Sequence, residues 1–203
     1  MTADQVTHTG RAADRGAATR AVLLSAARQV FMHEGYAQAG VTEIVALAGA
    51  SVGSLYHHFS GKADLYLALF EELHDEHDRR TRKAVRECRD RGITDPMLLL
   101  LAGARGYLDV CIEQRELAGM FGRGDGPPGF ELMWRQRVAD WVSRNTELFA
   151  RSGDPLSDAT AIVMTGAMML AVVEVSRAPD VTRARQLADG VLEVLARMHV
   201  RAG

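Results

Sequence analysis

Apolar residues recur at spacings of three and four along most of the chain, and no segment shows the sustained alternation typical of a strand. The five prolines all lie between the periodic segments, where proline is tolerated. The pattern therefore predicts an all-α fold. We expect nine helices, over about residues 18–34, 42–48, 52–59, 62 to beyond 73, 96–115, 116–122, 130–151, 156–177 and 181–200.

A change in composition divides the chain within the fourth predicted helix. The segment from Glu71 to Arg91 contains seven acidic and seven basic residues, which is typical of a solvated helix with i,i+4 ion pairs. We therefore predict a flexible N-terminal arm at 1–17, a head of three helices at 18–66 and a larger helical body at 67–203.

The segment AGASVGSLYHHFSGK at 48–62 is the most informative part of the chain. It predicts a glycine turn followed by a short helix with a serine N-cap. Leu55 and Phe59 are four residues apart and share the buried face, which leaves Tyr56 and His57 exposed. Two short helices joined in this way favour a helix-turn-helix that enters the major groove of DNA, and an ordinary helical hairpin is the alternative.

Charge restricts the way in which this chain could bind DNA. The net charge is −2, so a nucleic-acid contact has to be local. Only two residues are lysine, and one of them, Lys62, occupies the first turn of a helix, where a cation is electrostatically unfavourable. The placement is understandable if that helix end binds a phosphate. Arg11, Arg15 and Arg20 of the arm either follow the DNA or belong to an inert solvated terminus.

Three consecutive stretches resemble the TetR family of bacterial transcriptional regulators: LLSAARQVFMHEGY at 23–36, VTEIVALAGAS at 41–51 and VGSLYHHFSGKADL at 52–65. The resemblance implies a DNA-binding head and a helical body that binds a ligand and forms a homodimer. It also implies double-stranded DNA with a palindromic operator and a small-molecule effector as partners. We expect a repressor released by that effector. An activator, or a regulator whose effector is a protein, is the alternative within this class.

The resemblance assigns DNA contacts to seven positions, namely Thr42, Ser51, Val52, Ser54, Tyr56, His57 and Lys62. Two departures from the family pattern affect operator readout. Val52 stands where the family often has Lys, Arg or Gln, which suggests an apolar contact in place of bidentate guanine readout. Gly40 and Val41 replace the usual hydroxyl at the entry of the second helix.

The last two predicted helices indicate an association surface. Residues 161–173 are apolar nearly all round, and such a helix has to be covered on every side. A four-helix bundle formed by two copies would cover it. We expect the interface to include Ile162, Gly166, Met169, Val173, Leu187, Val191 and Leu195.

The body also contains aromatic and soft side chains that suit either a ligand cavity or an ordinary core. Arg105 and Asp109 are expected to form a local i,i+4 ion pair, with anchoring of a ligand as the alternative. The candidate ligand-binding residues are Tyr107, Cys111, Phe121, Trp134, Trp141, Met164 and Met168.

Several other classes of function are not supported. A single Glu-x-x-His step, Glu71 to His74, is too little for a di-metal site, and no catalytic triad or phosphate-binding glycine loop is visible. We predict no enzyme activity, cofactor or metal. Residues 1–19 lack an apolar run and the longest apolar stretch is short, so we expect a cytoplasmic protein without membrane contact and with two reduced thiols. A helical small-molecule carrier or an enzyme that has lost DNA binding is the alternative.

Overall fold

The structure, a computed structural model, describes the backbone of residues 3–150 and 157–200 and the side chains of 14–150 and 158–198. Within these ranges it contains nine helices and no strand, so the predicted all-α class is confirmed. The helices are α1 Ala3–Gln38, α2 Val41–Leu47, α3 Val52–His58, α4 Lys62–Asp90, α5 Pro96–Glu113, α6 Arg115–Phe121, α7 Phe130–Ala150, α8 Ser157–Arg177 and α9 Val181–Val200.

The first helix differs most from the expectation. Helix α1 begins at Ala3, well before the predicted start near residue 18. The segment before residue 18 carries no apolar stripe, so its helicity could not be detected from periodicity. Adding residues to an existing helix is much less costly than nucleating a new one, which explains the extension. The predicted flexibility of the arm and its contact with DNA stay predictions, and the side chain of Arg11 lies outside the described residues.

The chain forms two compact units. The first comprises Met1–Glu71 together with Gly124–Pro128, and the second comprises Glu72–Arg123 and Gly129–Gly203. The first unit ends close to the boundary expected at residue 66. The short loop at 124–128, which follows α6 in the chain, belongs to the first unit.

The core of the first unit is a small apolar cluster formed by α1, α2 and α3. Helix α1 contributes Leu24, Ala27 and Phe31, and the two short helices contribute Ile44, Val45 and Leu55, all of them buried. Phe59 is buried, as expected from the face that it shares with Leu55, and the Cζ of Arg20 lies 4.9 Å from its ring centroid. This contact joins α1 to the end of α3 within the first unit.

The second unit packs α5 against α8 and α9. Both cysteines are free thiols and buried, as predicted. Arg105 does not pair with Asp109. Its guanidinium instead contacts the Asp189 carboxylate of α9, so the ion pair joins two helices. The core is formed by apolar side chains that include Leu108, Cys111, Met164, Met168, Val175, Ala184, Ala188, Leu192 and Leu195.

Helix α8 is more apolar over its length than the sequence suggested. From Asp158 to Arg177 it has a mean hydropathy of 1.8 over the most apolar window, which by length and composition is enough to cross a membrane. A core helix of a soluble protein meets the same criterion. The inward face of α8, with Ala161, Met164 and Met168, packs in the core described above.

Candidate functional site

The turn between α2 and α3 fixes the orientation of the short third helix. Gly49 has a φ of 61°, a left-handed conformation that glycine adopts without a steric penalty. The Ser51 side chain caps α3, since its Oγ accepts a hydrogen bond of 3.1 Å from the Ser54 amide. Helix α2 follows Gly40 and has no side-chain cap, as the sequence indicated.

The outer face of α3 carries most of the predicted DNA-contact residues. Leu55 is fully buried and anchors the helix, whereas Val52 is 41% and Tyr56 57% exposed. A large apolar side chain and a phenol left in solvent on a seven-residue helix indicate a surface that binds something else. Thr42, Ser51 and His57 are also exposed, and Ser54 is half-buried.

Lys62 makes local contacts that sequence reasoning missed. Its Nζ donates hydrogen bonds to the backbone carbonyls of Ala37, at 3.0 Å, and Ala39, at 3.1 Å. It also lies 4.7 Å from the centroid of the Tyr36 ring. Carbonyls at the end of α1 carry partial negative charge, so they offset the unfavourable position of a cation at the start of α4. The predicted phosphate is therefore not needed to explain the lysine.

Asp125 is a second contact that the sequence did not reveal. Helix α1 is interrupted at Gly35, which has a φ of 77° and a ψ of 165°. The Tyr36 amide that follows donates a hydrogen bond of 3.0 Å to Asp125 Oδ2. The loop at 124–128 thus supplies a hydrogen-bond acceptor within the first unit.

A cavity of about 420 Å³ lies in the second unit, between α4, α5, α7 and α8. Three of the predicted ligand residues, Tyr107, Trp134 and Trp141, line it. A smaller space of about 70 Å³ adjoins Tyr107, Trp141 and Met168. The remaining predicted ligand residues lie elsewhere. Cys111 and Met164 are in the core, and Phe121 packs on Phe130 with ring centroids 5.9 Å apart.

An aromatic stack forms one wall of the cavity and continues into the core. The Tyr107 ring lies 5.3 Å from Trp141 on one side and 4.0 Å from the buried His77 on the other. Burial, with a smaller contribution from His74, lowers the pKa of His77 to about 3. Burial raises the pKa of Tyr107 and raises that of Cys111 to about 12. His77 and Cys111, 3.5 Å apart, are therefore both neutral at pH 7 and do not form a reactive thiolate pair.

Helix α7 brings charge to the same cavity. Arg137 and Arg144 line it from α7, and Asp78 and Arg82 line it from α4. Asp78 lies 3.3 Å from Arg82 and 3.6 Å from Arg144. The sequence did not mark these residues as site residues, because charged positions on α4 and α7 have the spacing of a solvated helix face.

The predicted interface residues of α8 and α9 are exposed, line the cavity, or pack in or against the core. Ile162 is 62% exposed and Gly166 is also exposed. Met169 and Val173 line the cavity, and Leu187 and Val191 pack against the core. Leu195 is 3% exposed and lies in the core of the chain, because α9 turns Ala184, Ala188, Leu192 and Leu195 inward. The exposed large apolar side chains of these helices are Ile162, Val163, Leu170, Val181, Val194 and Met198.

Over the described ranges, no group of three or more His, Cys, Asp or Glu side chains could hold a metal ion.

A comparison with known proteins finds a family match over the segment that contains α2 and α3. The family model described as bacterial regulatory proteins of the tetR family matches residues 23–69. Over 138 residues the chain is 32% identical to the HTH-type transcriptional repressor Rv1474c of Mycobacterium tuberculosis, and the match covers 68% of both chains. It is 39% identical over 69 residues to the HTH-type transcriptional regulator TtgR of Pseudomonas putida, a match covering 34% of this chain and 33% of TtgR.

The shorter matches cover about a third of each chain. The chain spans about a third of the length of TtgR and of similar curated relatives. Among solved structures, NalD, the secondary repressor of the MexAB-OprM multidrug efflux pump of Pseudomonas aeruginosa, superposes with a TM-score of 0.73 at 17% identity. That superposition covers 91% of this chain and 96% of NalD, and at this identity it establishes the likeness of fold.

Proposed function

Because this chain belongs to the TetR family of bacterial regulatory proteins, we propose that it is a sequence-specific DNA-binding transcriptional regulator. In this proposal it acts in the cytoplasm as a homodimeric repressor that a small molecule releases from its operator. The observation that carries the proposal is the exposed face of α3, where Val52 and Tyr56 are unburied on a helix anchored by Leu55.

The α3 face has the chemistry that base and phosphate contacts require. Ser54, Tyr56 and His57 supply hydrogen-bonding groups, and the exposed methyls of Val52 suit contact with the methyl group of thymine. Thr42 of α2 is exposed, which supports a contact with the DNA backbone at this position. Lys62 has three ammonium hydrogens, and two of them bond the carbonyls of α1, which leaves one for a phosphate oxygen.

The proposal of a homodimer rests on the outward apolar face of α8 and α9. Ile162, Leu170 and Val194 are each about three-fifths exposed in the single chain. Large apolar side chains grouped on two adjacent helices mark a protein interface. A Cβ added at Gly166 or Gly190 would meet no atom within 4 Å, so both glycines leave room for a close approach of a second copy. A two-fold dimer places two recognition helices on the two halves of a palindrome.

The proposal of an effector-released repressor rests on the relative Rv1474c, which is described as a repressor, and on the cavity in the second unit. Its volume of about 420 Å³ falls within the range of small-molecule sites. Successive major grooves are about 34 Å apart, so the two heads of a DNA-bound dimer have this separation. To release the operator, ligand binding has to change it.

Selection of bound sequences from a random DNA pool, followed by anisotropy titration of the recovered operator, tests the proposal. We expect a palindromic site, and we expect Tyr56→Ala with His57→Ala to weaken binding at least about tenfold while the helical content stays the same. The control is Arg135→Gln, a change at an exposed position of α7. Failure to enrich any sequence would contradict the proposal and favour the carrier or enzyme alternative.

A further inference from the structure

The cavity in the second unit carries an excess of positive charge. Arg82, Arg137 and Arg144 line it, against a single acidic residue, Asp78. Asp78 interacts with both Arg82 and Arg144, so one carboxylate serves two guanidinium groups. In the described part of the chain, Arg137 forms no ion pair. A half-buried guanidinium without a carboxylate is a strong recognition element for an anion.

The rest of the cavity wall is apolar and aromatic. Trp134 and Trp141 of α7 face the cavity along with Tyr107 of α5, and Val138 and Met169 complete the apolar surface. The Tyr107 and Trp141 rings are nearly parallel, with an interplanar angle of 12°. Tyr107 is covered on its two faces by His77 and Trp141, so the indole rings of Trp134 and Trp141 are the aromatic surfaces that favour a ligand with a flat apolar body, because stacked rings bury large apolar areas.

Arg137 and the two tryptophans come from one helix, which sets their spacing. Trp134, Arg137 and Trp141 are three and four residues apart, so they project from the same face of α7. One ligand can therefore contact all three at once. A carboxylate attached to an aromatic ring system has the groups that an arginine between two tryptophans binds.

We propose that the effector is an organic carboxylate with a flat apolar body, which pairs its carboxylate with Arg137 and lays its rings against Trp134 and Trp141. This inference rests on the proposed function, because it assigns the class of effector to the cavity of the proposed regulator. It extends that function by naming the chemistry that the cavity selects.

A series of three probes of matched shape separates charge from size. The probes are 4-phenylbutyrate, 4-phenylbutyramide and 4-phenylbutylamine, which carry a negative charge, no charge and a positive charge. The chain contains two tryptophans, Trp134 and Trp141, and both line the cavity. Tryptophan emission therefore reports on occupancy of the cavity without a label, and calorimetry gives a second measure of affinity.

We expect the carboxylate to bind at least about tenfold more tightly than the amide, since an ionic hydrogen bond is stronger than a neutral one. The amine should bind most weakly. In Arg137→Gln the preference for the carboxylate should disappear, and in Arg137→Lys it should be retained in part. Arg135→Gln is the matched control, because Arg135 lies on the same helix and pairs with Glu131 outside the cavity.

Equal or tighter binding of the amide or the amine by the unaltered protein would overturn the inference, and so would failure of all three probes to bind. Retention of the full preference in Arg137→Gln would overturn the role of that arginine. The unaltered protein decides the question of charge even if a variant does not fold. Operator binding is measured separately, so failure of the proposed regulator is distinguishable from failure of the effector class.

Discussion

The ammonium group of Lys62 lies 4.7 Å from the centroid of the Tyr36 ring and hydrogen-bonds two carbonyls just beyond it. The lysine therefore joins the start of α4 to the end of α1. This arrangement stabilises the first unit in the absence of DNA, and it fixes the position of the short helices between the two ends.

We predict that Lys62→Ala lowers the free energy of unfolding by about 1–2 kcal/mol, because two hydrogen bonds from a charged donor and a cation–π contact are lost. Thermal or urea denaturation of the free protein measures the change. The control is Lys83→Ala, which removes the only other lysine from an exposed pair with Glu87. It should leave stability nearly unchanged. A variant at Lys62 with full stability and weakened operator binding would show that the phosphate contact dominates.

A substitution at Gly35 should destabilise the first unit. The backbone there has a φ of 77° and a ψ of 165°, a region that glycine alone adopts readily, and a Cβ would lie 2.7 Å from Asp125 Oδ2. We expect Gly35→Ala to cost about 1–3 kcal/mol in urea denaturation. Gly53→Ala in α3 is the control, since a Cβ there meets only Ser51 Oγ, at 3.9 Å. Equal stability of the two variants would contradict this account of the turn.

The buried His77 should make stability depend on pH below neutrality. Its pKa is about 3 in the folded chain, against an ordinary value of 6.5, so the unfolded chain binds the extra proton as the pH falls through 6.5. The contribution of neutral His77 to the free energy of unfolding is therefore complete above pH 6.5. It is lost as the pH falls toward 3, by up to about 1.4 kcal/mol per pH unit. We expect His77→Phe, which keeps a ring against Tyr107, to flatten the decline between about pH 7 and 5. Identical slopes for variant and unaltered protein would refute the assignment.

The proposed homodimer should depend on the outward face of α8. Leu170 is 64% exposed there, and a glutamate at this position would place a charge in an apolar interface. We predict that Leu170→Glu is monomeric by sedimentation equilibrium and binds the operator weakly. Leu132 is 73% exposed on α7, a helix that the proposed interface does not include, so Leu132→Glu serves as the control and should remain dimeric. A dimeric Leu170→Glu would place the interface elsewhere.

Local patterns predicted most of the helical architecture. Helix α9 has the predicted bounds and α5 has the predicted start, because an apolar stripe and a proline at the first turn are local signals. The structure of α3 and the turn before it could also be predicted from the sequence, since the Ser51 cap, the Gly49 turn and the Leu55 anchor lie within seven residues. Its exposed face follows directly from the position of the buried one.

Long-range and backbone contacts could not be found in this way. Lys62 binds carbonyls, which every residue has, so no side-chain pattern marks its partners. Arg137 resembles an ordinary surface residue until the packing of α7 on α8 places it at the cavity. On α9, apolar residues at helical spacing define two adjacent faces, and the sequence does not show which of them is buried. Packing turns the face that includes Leu195 inward.

The hydrogen bond from the Tyr36 amide to Asp125 also bears on the order of assembly during synthesis. The residues of the first unit are translated early, but their carboxylate partner is 89 residues further along the chain. A nascent chain that ends before residue 125 lacks the carboxylate partner of the amide at the break in α1, so this hydrogen bond of the first unit cannot form until residue 125 has emerged from the ribosome. Completion of the N-terminal unit is thereby tied to synthesis of the segment between α6 and α7.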